Sequence, residues 1–91
     1  MSDLISRGQR IFRFEVPVDD QWHPIKFTGD PLHIAARTTN PVEFWAFEPG
    51  TEAHVRLLRV FGTGHQMSER ARYWGTALAP SGLVWHLMEM Q

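Results

Sequence analysis

The sequence predicts an all-β fold, a small sandwich or barrel of about seven short antiparallel strands. Turn-forming residues recur at short intervals along the chain, and the runs between them are rich in aromatic and β-branched residues. The connections are too short for the helical crossovers of parallel strands, so neighbouring strands are expected to pair antiparallel. The turn signals are Asp19-Asp20, Thr28-Gly29-Asp30-Pro31, Thr39-Asn40-Pro41, Glu48-Pro49-Gly50, Gly62-Thr63-Gly64 and Ala79-Pro80-Ser81-Gly82.

The first three strands are predicted from alternation and from the turns around them. Arg10–Val16 alternates apolar residues with Arg13 and Glu15, and Leu32–Arg37 alternates in the same way. One face of each strand is therefore expected to look inward. Between them, His23–Phe27 is a short apolar run bounded by turn signals on both sides.

The last four strands are predicted at Val42–Phe47, Val55–Phe61, Tyr73–Leu78 and Leu83–Met90. The first and last of these carry apolar residues on both faces, which one small sheet cannot cover. Either a second sheet of the same chain or another subunit must cover the extra face. We expect a homo-oligomer whose interface includes Trp45, Phe47 and Met88.

Two segments fall outside this strand pattern. Gln66–Ala71 is expected to form at most one short helical turn, with Ser68 as its cap and Glu69 near its positive end. Residues 1–9 are expected to be a loose arm, and residues 10–91 a single β domain.

Composition restricts the classes of function. The net charge of −1 gives no field for phosphate backbones, so nucleic acid is not favoured as a partner. The chain has no cysteine, which removes disulfides and thiolate-zinc sites and fits a reducing compartment. The N-terminus lacks the apolar stretch of a signal peptide, and no segment is apolar over the roughly 20 residues that span a bilayer. We expect a cytoplasmic protein.

The glycine loop, Phe61-Gly62-Thr63-Gly64-His65, is the most distinctive local feature. Two glycines let the backbone turn sharply and aim amide groups into one concavity that suits an anion. If the loop folds back, Arg59, His65, Arg70 and Arg72 would converge on a phosphate or carboxylate. The alternative is that Gly62 and Gly64 only supply positive φ and that His65 is solvated.

Trp74 follows the glycine loop on the next predicted strand, where it is placed to stack on a ligand ring. Core or interface packing is the alternative for it and for the other tryptophans. The expected ligand-binding residues are Arg59, Gly62, Thr63, Gly64, His65, Arg72 and Trp74.

No catalytic or cofactor signature is present in the sequence. The glycine loop lacks the Lys-Ser/Thr ending of a phosphate loop, and no convincing helix follows it as a dinucleotide fingerprint requires. The five histidines have no metal-ligand spacing, and no serine lies in a strand-to-helix elbow. We expect no metal, no cofactor and no enzymatic activity.

Several short segments of the sequence resemble a family of small uncharacterised phage-encoded proteins. The resemblance extends roughly over Arg10–Met90, and no functional residue is transferred with it, because no family activity accompanies it. The segments are Val18-Asp19-Asp20-Gln21-Trp22-His23, His33-Ile34-Ala35-Ala36-Arg37, Val42-Glu43-Phe44-Trp45, Val60-Phe61-Gly62-Thr63-Gly64-His65 and Gly82-Leu83-Val84-Trp85-His86-Leu87. The resemblance implies a small accessory protein that binds a host component.

We therefore expect a non-enzymatic phage accessory protein that sequesters a small anionic host ligand such as a nucleotide immune signal. Two alternatives stay open. One is an inhibitor of a host protein that uses the apolar sheet face with Trp45 and Phe47. The other is a structural component of the virion.

Overall fold

Seven antiparallel strands form two sheets in the structure, a computed structural model that describes residues 9–67 and 70–91. The all-β prediction is confirmed. The strands are β1 (Ile11–Val16), β2 (His23–Lys26), β3 (Thr28–Ala35), β4 (Val42–Phe47), β5 (Val55–Gly62), β6 (Ala71–Leu78) and β7 (Val84–Met90).

The strand bounds differ from the prediction mainly at the start of β3. Thr28–Pro31 was predicted to be a turn, but it lies within β3, where Thr28 pairs with Phe47 of β4 and the pairing resumes at His33. Gly29 adopts a φ of +75°, and the β3–β4 register shifts between Thr28 and His33. The glycine and proline therefore mark an irregular strand start, since bulges accept the same residues as turns.

The two sheets have the strand orders β1-β4-β3 and β2-β5-β7-β6. We call them the three-stranded and the four-stranded sheet. Only Phe27 separates β2 from β3, so one extended stretch of chain begins in the four-stranded sheet and continues in the three-stranded sheet. The result is a two-sheet sandwich.

The core lies between the inner faces of the sheets. Phe14, Phe27 and Phe44 form its aromatic centre, with ring centroids 5.0 to 5.9 Å apart. Leu58 and Leu87 of the four-stranded sheet are fully buried beside them. Burial of each such side chain contributes about 1.5–3 kcal/mol, which makes this cluster the main source of stability.

The second sheet of the same chain covers one of the two apolar faces of β4. Phe44 and Ala46 point into the core and are fully buried, whereas Trp45 and Phe47 are half-buried on the outer face of the three-stranded sheet. The outer face of the four-stranded sheet carries Leu78 and Tyr73, which are 72% and 57% exposed. Homo-oligomerisation stays a prediction.

The two irregular segments fall partly outside the described residues. Residues 1–8 of the expected arm lie outside them, as do Ser68 and Glu69, on which the expected helical turn depended. Gln66 and Met67 are not helical, Arg70 lies in a turn, and Ala71 already begins β6. The described part of the chain has no helix of the length and apolarity that a membrane crossing requires.

Candidate ligand-binding site

The glycine loop closes on itself through two hydrogen bonds. The His65 backbone N–H donates to the Gly62 carbonyl oxygen over 3.1 Å, and the Gly62 N–H donates to His65 Nδ1 over 3.0 Å. Gly64 makes the turn at a φ of +92°, in the left-handed region that favours glycine. Because Nδ1 accepts a hydrogen bond, the neutral imidazole of His65 carries its proton on Nε2.

Gly62 is required for space. A Cβ at this position would lie 3.0 Å from His65 Cε1 and 3.3 Å from the Trp85 ring, which is closer than side chains normally pack. The loop therefore holds His65 against the end of β5, where a larger residue would push the ring away. The prediction of positive φ therefore holds for Gly64 and is wrong for Gly62, where the requirement is space beside His65 and Trp85.

A cavity of about 300 Å³ lies between the loop and the outer face of the four-stranded sheet. Its lining residues are Gly62, Thr63, Gly64, His65, Met67, Tyr73, His86 and Met88. His86 and Met88 flank the fully buried Leu87 along β7, so they point away from the core. A second cavity of about 430 Å³ lies on the other side of the loop and is lined by Trp85.

A chain of hydrogen bonds crosses the outer face beside the first cavity. His86 Nε2 lies 2.9 Å from Thr63 Oγ1, and His86 Nδ1 lies 2.9 Å from Thr76 Oγ1. The Tyr73 hydroxyl continues the chain, 2.7 Å from Thr76 Oγ1. Thr63 at one end and Tyr73 at the other both line the cavity.

Arg59 lies on the same outer face, paired in register with Met88 of the cavity. Its guanidinium carbon is 4.4 Å from the Phe61 ring centroid and 5.8 Å from that of Trp22. The nearest carboxylate contact is between Nη2 and Asp20, at 3.9 Å, and the Asp20 side chain is 70% exposed. Buried Arg59 Nε has no hydrogen-bond partner in residues 9–67 and 70–91. The cation is therefore only partly compensated.

Arg56, three residues earlier in β5, is compensated far more fully. Its Nε and Nη2 donate to the two carboxylate oxygens of Glu89, both over 2.8 Å. Its Nη1 donates to the Gly29 carbonyl oxygen over 2.7 Å, and its guanidinium lies 3.8 Å from the Phe27 ring centroid. Arg56 is thus committed to the fold, whereas Arg59 keeps donors for a further partner.

The structure separates Arg72 and Trp74 from the glycine loop. Arg72 pairs in register with Glu89, and Trp74 Nε1 donates to Glu89 Oε1 over 2.8 Å. Arg72 stacks on Trp74, with its guanidinium carbon 4.3 Å from the ring centroid. Alternation along β6 therefore directs Tyr73, not its two neighbours, toward the cavity. The expected convergence of Arg72 with the loop is not found.

The residues that were expected at an interface lie in two places. Met88 is 3% exposed and forms part of the cavity wall, so it offers little surface to a partner. Trp45 lies between Arg13 and His33 on the outer face of the three-stranded sheet, with Phe47 two residues further along. The described ranges contain no cluster of three His, Asp or Glu side chains that could hold a metal ion.

The sequence analysis identified neither Tyr73 nor His86 as a site residue. The two-residue alternation of the strands could have identified both, because it places Tyr73 and His86 on the face opposite to the core residues of β6 and β7. It could not show that the glycine loop folds over that face. That placement depends on pairing between residues distant in sequence.

The fold and the cavity define a class, a small β-sandwich domain with a loop-bounded pocket on the outer face of one sheet. Within that class, the chain belongs to the family described as a domain of unknown function, DUF7352, whose family model matches residues 7–91. No curated protein and no solved structure shows significant similarity to the chain.

Proposed function

We propose that this protein binds a small anionic ligand, without transforming it, on the outer face of the four-stranded sheet between Arg59 and the glycine loop. In a phage-infected bacterium, such binding would sequester a host ligand such as a nucleotide immune signal. The observation that carries the proposal is the incomplete compensation of Arg59, whose side chain is 26% exposed and whose buried Nε has no hydrogen-bond partner among the described residues.

A partly buried cation without a hydrogen-bonded anion is energetically unfavourable. The usual solution is the one that this chain uses at Arg56, where a carboxylate accepts two hydrogen bonds side by side. Within residues 9–67 and 70–91, Arg59 has no comparable carboxylate, since Asp20 is exposed and too distant for a hydrogen bond. A phosphate or carboxylate of a ligand would supply the missing anion at the Nη groups of Arg59.

The surroundings of Arg59 favour a ligand that also carries a ring. Trp22 and Phe61 meet edge to face, with ring centroids 5.8 Å apart, and form an aromatic wall beside the guanidinium. On the other side, Met88 separates Arg59 from the cavity, whose walls also include Met67 and Tyr73. Mostly apolar walls with a few convergent polar groups are typical of small-molecule sites, and about 300 Å³ is at the lower end of their size range.

The test is retention of nucleotides by the purified protein. The protein is mixed with a panel of linear and cyclic nucleotides and filtered, and the retained protein is then heat-denatured to release what it holds. A nucleotide depleted from the filtrate and recovered intact would support the proposal. Recovery only as a product would make the protein an enzyme and overturn it.

Arg59→Gln and Arg72→Gln form a matched pair of variants. A charge-assisted hydrogen bond contributes about 1.5–3 kcal/mol, so we expect roughly 10- to 100-fold weaker binding for Arg59→Gln. Arg72→Gln loses the same charge on the other side of the sheet and should bind within about twofold of the wild type. Equal losses in the two variants would indicate a general charge effect and contradict the proposed site.

A second candidate is capture of a host protein, and the exposure of apolar side chains on the four-stranded sheet favours it. Leu78 and Leu83 are 72% and 48% exposed. Neither residue lines the cavity, so a ligand bound there would not explain their exposure. Retention of no nucleotide at all would favour this candidate. A structural role in the virion is tested separately, by detection of the protein in purified particles.

A further inference from the structure

The hydrogen-bond chain from Thr63 through His86 and Thr76 to Tyr73 has two possible directions. In one, Tyr73 donates to Thr76, Thr76 to His86 Nδ1, and His86 Nε2 to Thr63, which leaves the Thr63 hydroxyl proton free. In the other, every bond is reversed and the Tyr73 proton is free. A neutral imidazole has one donor and one acceptor nitrogen, so only one end of the chain can donate into the cavity at a time.

Protonation of His86 changes the number of hydroxyl groups that can donate into the cavity. Both ring nitrogens then donate, one to Thr63 and the other to Thr76. Thr76 is then free to turn its own proton to the Tyr73 oxygen, and in that arrangement the Thr63 and Tyr73 hydroxyls are both free donors, which a neutral His86 does not allow. Because both line the cavity, the site then presents two hydroxyl donors and one additional positive charge to a bound group.

We infer that the anion in this cavity accepts hydrogen bonds from Thr63 and Tyr73 and is bound together with a proton on His86. This inference deepens the proposed function and rests on it. It assigns Thr63 and Tyr73 as ligand donors and His86 as the positioning residue that sets their direction. A multi-oxygen anion such as a phosphate or sulfate suits this pair of donors, because it can accept from each end of the chain through a separate oxygen.

The charged and titratable groups around His86 are consistent with this coupling. The glycine loop contributes His65, β6 contributes Tyr73, and β5 contributes Arg59 from the neighbouring cross-strand row. No carboxylate lines the cavity in the described ranges. Without an anion, Arg59 opposes a second positive charge on His86, and a bound anion removes that opposition. Anion binding should therefore favour protonation, and by linkage protonation should favour anion binding.

The experiment follows the protonation of His86 by NMR, using its ring Cε1–H signal between pH 5 and 8, the range in which histidines usually change charge. The probe is potassium sulfate, which stays fully ionised over this range, against potassium chloride at equal ionic strength. We expect sulfate to raise the His86 titration midpoint by about one pH unit, which corresponds to tenfold coupling. His54, exposed and outside the cavity, serves as the internal control and should not shift.

Two variants separate the hydroxyl chain from simple charge attraction. Thr76→Val removes the hydroxyl that connects His86 to Tyr73, and Tyr73→Phe removes the terminal donor at an exposed position where the fold should tolerate it. Each should reduce the sulfate-induced shift to less than half. An equally large shift in both variants would overturn the inference, since charge alone would then explain the effect.

The outcomes distinguish this inference from the proposed function. An unchanged His86 midpoint overturns the inference, and if nucleotides are still retained on the filter the proposed function stands without it. An unchanged His86 midpoint together with no retained nucleotide overturns both the inference and the proposed function. A raised midpoint that depends on both hydroxyls, with no retained nucleotide, supports the anion site and overturns only the nucleotide as its ligand.

Discussion

Two carboxylates in this protein are clamped by arginine side chains, one on each sheet. Glu43 is 5% exposed under Arg37 and Arg13, and the hydrogen bonds and charge of Arg37 are the main reason that its pKa is lowered. For Glu89, burial by itself would raise the pKa. The hydrogen bonds from Arg56 and Trp74 outweigh burial, and the pKa is lowered. Both side chains are therefore ionised in the folded state at neutral pH.

Glu89→Gln should destabilise the protein in a pH-dependent manner. The Arg56 and Glu89 side chains are only 12% and 13% exposed, so removal of one charge leaves the other buried, at a cost of about 3 kcal/mol at pH 7. Because the folded pKa of Glu89 is lowered, its contribution is present above the unfolded value and is lost as pH falls through the folded pKa. Urea unfolding at pH 7 and at a pH below the ordinary glutamate pKa of about 4.3 should therefore show a difference between variant and wild type that is smaller at the lower pH.

Glu52→Gln is the control for this prediction, since Glu52 is an exposed carboxylate in a turn. Its effect should stay within about 0.5 kcal/mol at both pH values. A Glu89→Gln protein as stable as the wild type at pH 7 would show that the ion pair does not stabilise the fold.

At the scale of elements, the sequence was enough for the strands and insufficient for the site. Alternation and turn residues predicted seven strands, because each strand needs one face that packs inward and a turn at each end. Two readings failed for the same reason, namely that the outcome depends on pairing across the sheet. Thr28–Pro31 is part of β3 because Thr28 at its start pairs with Phe47 of β4. Arg72 lies outside the site because it pairs with Glu89, on the opposite face of the sheet.

Gly64→Ala should destabilise the glycine loop through its backbone alone. At Gly64 a Cβ would meet no atom within 4 Å, so there is no steric clash, but the φ of +92° is strained for any other residue. We expect a loss of about 1 kcal/mol in the free energy of unfolding. The measurement is urea unfolding, with nucleotide retention as the functional readout.

Gly50→Ala is a matched control, because Gly50 also lies in a connecting loop but has no positive φ. A Cβ there would meet Thr28 Oγ1 at 3.7 Å, an ordinary contact. The variant should be as stable as the wild type or slightly more stable. If the two variants lost equal stability, the special conformation of Gly64 would not be the cause.

At the scale of the whole molecule, the strand edges are protected and one sheet face is not. Pro24 lies in the edge strand β2, Pro31 in β3, and Arg13 and Glu15 in β1, while the register of β6 shifts at Trp74. Each of these features discourages edge-to-edge pairing between molecules. The outer face of the four-stranded sheet has no such protection around Leu78 and Tyr73. We therefore predict self-association through this face, and not through the half-buried Trp45 and Phe47 that the sequence analysis assigned to an interface.

Leu78→Lys should weaken self-association. A lysine at this 72% exposed position leaves the single chain intact, but its charge would be buried if a second copy covered the face. Sedimentation at several concentrations should show an oligomer for the wild type and a monomer for the variant. Ile11→Lys, at a 57% exposed position on the other sheet, should behave like the wild type. A wild type that is monomeric at high concentration would contradict the expectation.

The passage of one extended stretch through both sheets at Phe27 also determines how the molecule can come apart. Residues on either side of Phe27 hold ladder bonds in different sheets, and its ring, 1% exposed, packs on Phe14 and Phe44. Neither sheet can therefore melt while the other keeps its hydrogen bonds and its packing. Heat should unfold the sandwich as one cooperative unit, and the slowest-exchanging amides should occur in both sheets with the same protection.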